Sequence, residues 1–151
     1  MKTSKIISVL VIVLQVGGFV LFAACGQTIF SILTTSFQQG GQVPFSLDPK
    51  TNIATLMFTL EPQNCGYLES KVTLGVRVTS DTMTLTEGNS TTITLPPGAS
   101  KKTTLVLKIP YERLQLYSEG RGSLELTANV QTLYGLASMD YRMQIKGGGG
   151  P

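Results

Sequence analysis

The chain contains no histidine and no tryptophan, and only two of its residues are cysteines. Without histidine, the commonest metal ligand and the usual general base near neutral pH are both missing. Cys25 and Cys65 provide neither a disulfide framework nor the ligand spacing of a zinc site. We therefore expect no metal and no cofactor, and we predict that the protein is not an enzyme.

Charged side chains are also scarce, at 14 % of residues, whereas about 25 % is usual in globular proteins. The formal net charge is only +3, and the cations are scattered along the chain. Nucleic-acid binding needs a basic stripe, so we expect no nucleic-acid partner. A surface with few ionic groups loses little stability when carboxylates protonate, which is consistent with an acidic exterior.

The serines have no histidine to activate them, and the carboxylates lie on separate predicted strands and turns. We interpret Glu112, Glu119 and Asp140 as solvated surface charges. A catalytic pair of carboxylates among them is the alternative.

The feature that the chain does possess is an uncharged apolar run from Ile6 to Ala24. It holds about 19 residues and would cover roughly 30 Å as a helix, the hydrocarbon thickness of a bilayer. Lys2 and Lys5 precede the run, whereas the next cation is Lys50. This bias predicts a cytoplasmic N-terminus at 1–5 and an outward-facing remainder, because positive residues stay inside.

A cleaved signal peptide has the same positive start but a shorter apolar region. Here apolar residues resume from Ile29 to Leu33. We therefore interpret 6–37 as a retained transmembrane signal-anchor helix with its extension, embedded in membrane lipid. The segment Ala23-Ala24-Cys25 also resembles a lipoprotein processing site. Lipidation of Cys25 is thus an alternative, and ordinary burial of a small apolar thiol is another.

Two adjacent glycines, Gly17 and Gly18, lie inside the predicted membrane helix. Small residues allow membrane helices to approach closely, so these positions are candidates for helix packing. Simple tolerance of glycine in lipid is the other reading.

The rest of the chain is rich in short alternating segments. The clearest is 71–79, where Val72, Leu74, Val76 and Val78 share one face. Seven strands are predicted in all, at 53–60, 71–79, 82–86, 91–95, 101–109, 123–133 and 136–145. Turns over 87–90 and 96–100 separate them, and a short helix is predicted over 111–117.

This pattern predicts an all-β fold, an immunoglobulin-like antiparallel β-sandwich of about seven strands behind an N-terminal transmembrane helix. The Cys–Trp–Cys signature of antibody domains is missing. We assign 38–50 to a linker, 51–146 to the sandwich domain and the glycine-rich 147–151 to a flexible tail.

The order of these features resembles the late-embryogenesis-abundant type 2, or WHy, domain. The resemblance covers about 51–145, with the proline break at Leu60-Glu-Pro62 and the turn at Leu95-Pro-Pro-Gly-Ala-Ser100. Such domains often follow one N-terminal membrane helix in archaeal and plant proteins. The architecture is also similar to that of archaellum stator proteins. Both resemblances imply binding or mechanical roles.

Asn89-Ser-Thr91 forms an N-glycosylation sequon, which we place in an exposed turn on the outer side of the membrane. Asn89 is therefore the candidate modification site, and a plain turn asparagine is the other reading.

These observations favour a membrane-anchored, extracytoplasmic binding or structural module of the cell envelope, with an envelope protein or a second copy as its partner. The alternative is a secreted filament or pilus subunit with a processed N-terminus. In that case 29–37 or 43–47 would complete a neighbour's sheet by strand addition.

Overall fold

The computed structural model describes residues 2–38, 44–80 and 83–146. Residues 39–43 of the predicted linker and the predicted tail at 147–151 lie outside these ranges. The elements in chain order are helix α1 (Lys2–Gln38), strands β1 (Phe45–Asp48), β2 (Ile53–Leu60), β3 (Ser70–Ser80), β4 (Met83–Leu95) and β5 (Thr103–Pro110), helix α2 (Tyr111–Ser118), strand β6 (Gly122–Thr132), a 3₁₀ turn (Leu133–Gly135) and strand β7 (Ala137–Lys146).

The strands form two antiparallel sheets, one of three strands in the order β1-β2-β5 and one of four in the order β4-β3-β6-β7. Their inner faces contribute most of one continuous hydrophobic core. The predicted all-β sandwich of seven strands behind an N-terminal helix is therefore confirmed.

The alternation read from the sequence predicts the inner face well. On β3, Val72 and Leu74 are fully buried, and on β5 the inward residues Leu105, Leu107 and Ile109 are each at most 2 % exposed. Helix α2 covers one end of the core, where Leu114 and Tyr117 pack against it. This burial follows from strand geometry, because every second side chain of a strand points to the same face of the sheet.

Two strand boundaries differ from the prediction. The predicted turn at 87–90 does not form, because β4 runs unbroken from Met83 to Leu95 and pairs with β3 from Ser70 to Val78 and, after a register shift, at Ser80. Gly88 and Asn89 thus lie within a strand. In addition, Phe45–Asp48 pairs with β2 as an edge strand. These four residues belong to the sheet, although the sequence placed them in the linker.

The loops divide between the two ends of the sandwich. One end, here called the helix-side end, is formed by the β2–β3 loop (61–69), the β4–β5 connection (96–102) and the β6–β7 turn (133–136). The opposite end, here called the far end, carries the β1–β2 turn and helix α2. At the β1–β2 turn, the Lys50 N–H and the Thr51 hydroxyl each donate to the Asp48 carboxylate at 2.9 Å, which lowers the pKa of Asp48.

Helix α1 has two parts with different surroundings. From Ile6 to Ala23 the side chains are exposed, whereas the part from Ala24 to Phe37 is packed on the sandwich. The buried positions of this second part recur every three or four residues, as one face of a helix requires. They are Cys25, Thr28, Ile29, Ile32, Leu33 and Ser36.

The packed part of α1 lies against β6 and β7. The Phe37 ring is 4.9 Å from the ring of Tyr141, and Tyr141 pairs in register with the buried Ala128. The smaller sheet has one strand fewer than the larger sheet and leaves part of the inner face of the larger sheet open. Helix α1 covers this part. This part of α1 is a component of the domain core.

Candidate functional site

The contact between helix α1 and the β2–β3 loop is the feature that relates the apolar helix to the sandwich. Thr28 is fully buried and lies against Gly66. A Cβ placed on Gly66 would overlap both the side chain and the main chain of Thr28. Glycine is thus required at position 66 for this close approach.

Hydroxyl groups of the helix accept hydrogen bonds from the main chain of the loop. The Gln63 N–H donates to Thr35 Oγ1 at 2.9 Å, and the Cys65 N–H donates to Ser31 Oγ at 3.2 Å. Ser31 and Thr35 are one helical turn apart, which matches alternate N–H groups of an extended loop. The loop therefore fixes the angle at which α1 leaves the domain.

The loop itself is held by Asn64, which is fully buried. Its side-chain amide donates to the carbonyl oxygens of Leu68 at 2.8 Å and Leu95 at 2.9 Å, and its Oδ1 accepts from the Gly66 N–H at 3.0 Å. The main chain of Asn64 also pairs with Gly98 and Ala99. Asn64 thus joins the β2–β3 loop to the end of β4 and to the β4–β5 connection, and it presents Gly66 to the helix.

The exposed part of α1 from Ile6 to Ala23 is uncharged and mainly apolar, with Ser8 and Gln15 as its polar residues. Residues Ile6–Phe37 form a helix that is long and apolar enough to cross a membrane, and its most apolar window is not buried in the protein. The free part up to Ala23 has roughly 18 residues, or about 27 Å of helix. Such a segment is compatible with a membrane anchor or with a signal sequence.

The membrane-helix candidates Gly17 and Gly18 lie in this exposed part. A Cβ at either position would meet no other atom within 4 Å. Cys25, the candidate lipidation site, lies one turn before Thr28 and is 7 % exposed. Both cysteines are free thiols. Modification of the Cys25 thiol would require that it leave the packed face of α1.

Asn89, the candidate glycosylation site, is exposed on strand β4 at the edge of the larger sheet. Its side-chain amide nitrogen, the atom that would carry a glycan, donates to the Val106 carbonyl at 2.9 Å. Glycosylation would replace one of the two amide hydrogens of Asn89, so only the other could still donate to the Val106 carbonyl.

The outer face of the larger sheet is polar and contains one buried carboxylate. Glu125 is 3 % exposed and lies 2.7 Å from the guanidinium of Arg77 on the neighbouring strand. The Arg77 hydrogen bond lowers the pKa of Glu125, with weaker help from Gln144 and Arg142. The result is a fixed ion pair with an arginine that remains partly open to solvent.

The carboxylates considered for catalysis are not brought together. Glu112 lies in the first turn of helix α2 and Glu119 follows its last residue, both at the far end, whereas Asp140 lies on β7 and accepts a 2.8 Å hydrogen bond from Asn129. Among the described residues there is no group of three or more acidic or cysteine side chains that could hold a metal.

Sequence reasoning missed Asn64, Gly66 and the hydroxyl face of α1. A signal for the last was available, since Thr28, Ser31 and Thr35 recur at helical spacing after the uncharged apolar run. The roles of Asn64 and Gly66 depend on partners far away in the chain, so no local pattern indicates them.

Fold and site together define a single β-sandwich domain built onto a long apolar helix. No family model and no curated protein matches the chain.

Among solved structures, a β-glucuronidase from glycoside hydrolase family 2 is similar at 16 % identity and a TM-score of 0.48, over 70 % of this chain and 11 % of that one. The ApaA protein of Bordetella pertussis is similar at 13 % identity and a TM-score of 0.44, over 70 % and 89 % of the two chains. A protein from Archaeoglobus fulgidus is similar at 6 % identity and a TM-score of 0.42, over 69 % and 90 %. The chain spans about a tenth of the β-glucuronidase, and similarities at this level carry no argument about function.

Proposed function

We propose that the protein is a single-pass membrane protein whose β-sandwich acts as a binding or structural module on the outer face of the membrane, within the cell envelope. The observation that carries the proposal is the two-part helix α1. Its free part has the length and composition of a membrane span, and its second part is built into the domain core.

This arrangement differs from a domain on a flexible tether. Thr28 against Gly66 and the two hydroxyl–loop hydrogen bonds hold the helix and sandwich as one body. A module attached in this way keeps a constant height and orientation above the bilayer, which suits a structural or scaffolding part. The far end would then face a partner in the envelope, either another protein or a second copy.

The filament alternative receives less support. Residues 29–37, which would donate a strand to a neighbour, are helical and contribute Ile32 and Leu33 to the protein's own core. Residues 45–48 pair with β2 of the same chain. Strand donation by either segment would require the loss of these contacts. The resemblance to WHy domains and to stator proteins stays a prediction that agrees with a binding or mechanical role.

The test is the intact mass and N-terminal sequence of the native protein from carbonate-washed membranes. A chain that retains residues 6–23 in the membrane fraction is the expected result. An unlipidated chain starting near residue 26 in the soluble or filament fraction would refute the anchored module. A chain that starts at Cys25 and carries added lipid mass would show that a lipid, and not the helix, anchors the domain.

A pair of variants separates anchoring by the helix from adhesion of the sandwich. Leu14→Arg places a charge in the middle of the free part, where a charge in hydrocarbon is costly. Gln27→Arg places the same charge on the exposed side of the packed part. We expect Leu14→Arg to reduce membrane retention and Gln27→Arg to leave it unchanged.

A further inference from the structure

The helix-side end exposes apolar and aromatic side chains at two separate tips. Tyr134 in the β6–β7 turn is fully exposed, Leu136 is 88 % exposed, and Tyr67 in the β2–β3 loop is 72 % exposed. Tight turns normally carry glycine, asparagine, aspartate or serine. The sequence Leu133-Tyr-Gly-Leu136 is an unusual turn for a surface that faces only water.

The backbone of this turn sharpens the contrast. Leu133 and Tyr134 have φ angles of 52° and 57°, in the left-handed region that glycine and asparagine adopt most readily. Tyr134 gains no packing in the fold, because its side chain is fully exposed, whereas Leu133 is half-buried. Neither local conformation nor the core accounts for these side chains, which points to an external contact.

The direction of helix α1 indicates what that contact is. Thr28 lies beside Gly66 while Phe37 lies further down the sheet beside Tyr141, so the N-terminal direction of the helix leaves through the helix-side end. The free part is about 27 Å long, close to the roughly 30 Å hydrocarbon thickness. No spacer therefore remains between a membrane crossed by this helix and the loops of this end.

The charges of the helix-side end are compatible with lipid headgroups. Lys71, Lys101 and Lys102 are exposed at this end. Its acidic residues are Glu61 and Glu69 of the β2–β3 loop. Lysine side chains near a bilayer are attracted to anionic headgroups, and tyrosine rings concentrate at the boundary between headgroups and acyl chains.

We propose that the helix-side end is a lipid-contacting surface that inserts Tyr67, Tyr134 and Leu136 into the interfacial layer of the membrane crossed by α1. The sandwich is then seated on the bilayer at two tips in addition to its helix. This inference rests on the proposed function, since it requires that the free part of α1 spans the same membrane.

The absence of tryptophan allows single-tryptophan reporters in the full chain. The full-length protein is reconstituted in vesicles of phosphatidylcholine and phosphatidylglycerol, with or without bromine in the upper part of the acyl chains. Tyr134→Trp and Tyr67→Trp report the two tips, and Phe19→Trp reports the helix. Tyr111→Trp, at the far end and also partly exposed, is the matched control.

The expected result is a blue-shifted emission that bromine quenches for Tyr134→Trp and Tyr67→Trp, as for Phe19→Trp, with no quenching for Tyr111→Trp. Quenching of Phe19→Trp with unquenched tips would overturn the seating and leave the anchor intact. An unquenched Phe19→Trp would overturn the proposed function itself. Quenching of Tyr111→Trp together with the tips would also overturn the inference, because the sandwich would then contact lipid without the predicted orientation.

Discussion

Thr28 of helix α1 and Gly66 of the β2–β3 loop touch at a point where any side chain larger than hydrogen on residue 66 would overlap the helix. This contact allows the second half of α1 to pack on β6 and β7 and to act as part of the core. Glycine at position 66 is thus one requirement for the helix to pack in this position.

Gly66→Ala should lower the free energy of unfolding by about 1–3 kcal/mol, because the added methyl forces helix and loop apart. Limited proteolysis in detergent should cleave 24–37 faster in this variant. Gly26→Ala is the control, since a Cβ there meets nothing within 4 Å and helix propensity improves. Equal stability of Gly66→Ala and the parent would mean that the packed helix does not need this contact.

Ile32→Ala should destabilise the sandwich by about 2–5 kcal/mol, because Ile32 is fully buried in the core and its loss leaves a cavity. Leu14→Ala, on the free part of the same helix, should leave the unfolding of the sandwich unchanged. Denaturant unfolding followed by near-UV circular dichroism measures both. A similar effect of the two substitutions would contradict the division of α1 into a free and a packed part.

Asn64→Ala should cost about 2–3 kcal/mol, since it removes three hydrogen bonds and leaves the carbonyl groups of Leu68 and Leu95 without this donor. Asn129→Ala removes an exposed hydrogen bond to Asp140 and should cost less than about 1 kcal/mol. Thermal unfolding of both variants provides the comparison. The prediction fails if Asn64→Ala is as stable as Asn129→Ala.

The ion pair of Arg77 and Glu125 should make stability sensitive to acid. Arg77 lowers the pKa of Glu125 in the folded state. This contribution is therefore fully present above the unfolded-state value of about 4.3 and is lost as pH falls through the lower folded pKa. Glu125→Gln should flatten this part of the pH profile, while the contribution of Asp48, whose pKa is also lowered, remains.

Glu119→Gln is the control for this experiment, because Glu119 is exposed and lies 3.9 Å from Arg121. It should leave the slope below about pH 4 nearly unchanged, as exposed pairs contribute little. Urea unfolding at a series of pH values measures the slope. An unchanged slope in Glu125→Gln would show that protonation of Glu125 is not coupled to unfolding.

Glycosylation of Asn89 should appear as a mass added to the native peptide that contains it. Thr91→Ala removes the sequon and should abolish the modification, whereas Thr92→Ala changes a neighbouring threonine and preserves the sequon. Peptide mass spectrometry of protein from the native source decides. Recovery of the Asn89 peptide only in its unmodified form would contradict the prediction.

Local pattern was sufficient for much of the fold. Strict alternation in β3 predicted its buried face, since a strand turns every second side chain to the same side. Turn chemistry was less reliable. Glu87-Gly-Asn-Ser90 has the composition of a turn, yet pairing with β3 on the neighbouring strand keeps it extended. The four residues of β1 have too little pattern of their own, and β2 makes them a strand.

Composition and spacing along the chain are enough to establish one long apolar helix followed by a strand-rich domain with few charges. The point at which the free helix ends and the domain begins is set by contacts in the folded protein. That boundary depends on Thr28 meeting Gly66, on Asn64 joining two loops, and on the end of the sandwich at which Tyr67 and Tyr134 emerge. Each of these relationships joins residues that are distant in sequence, so physical contact, and not local preference, specifies them.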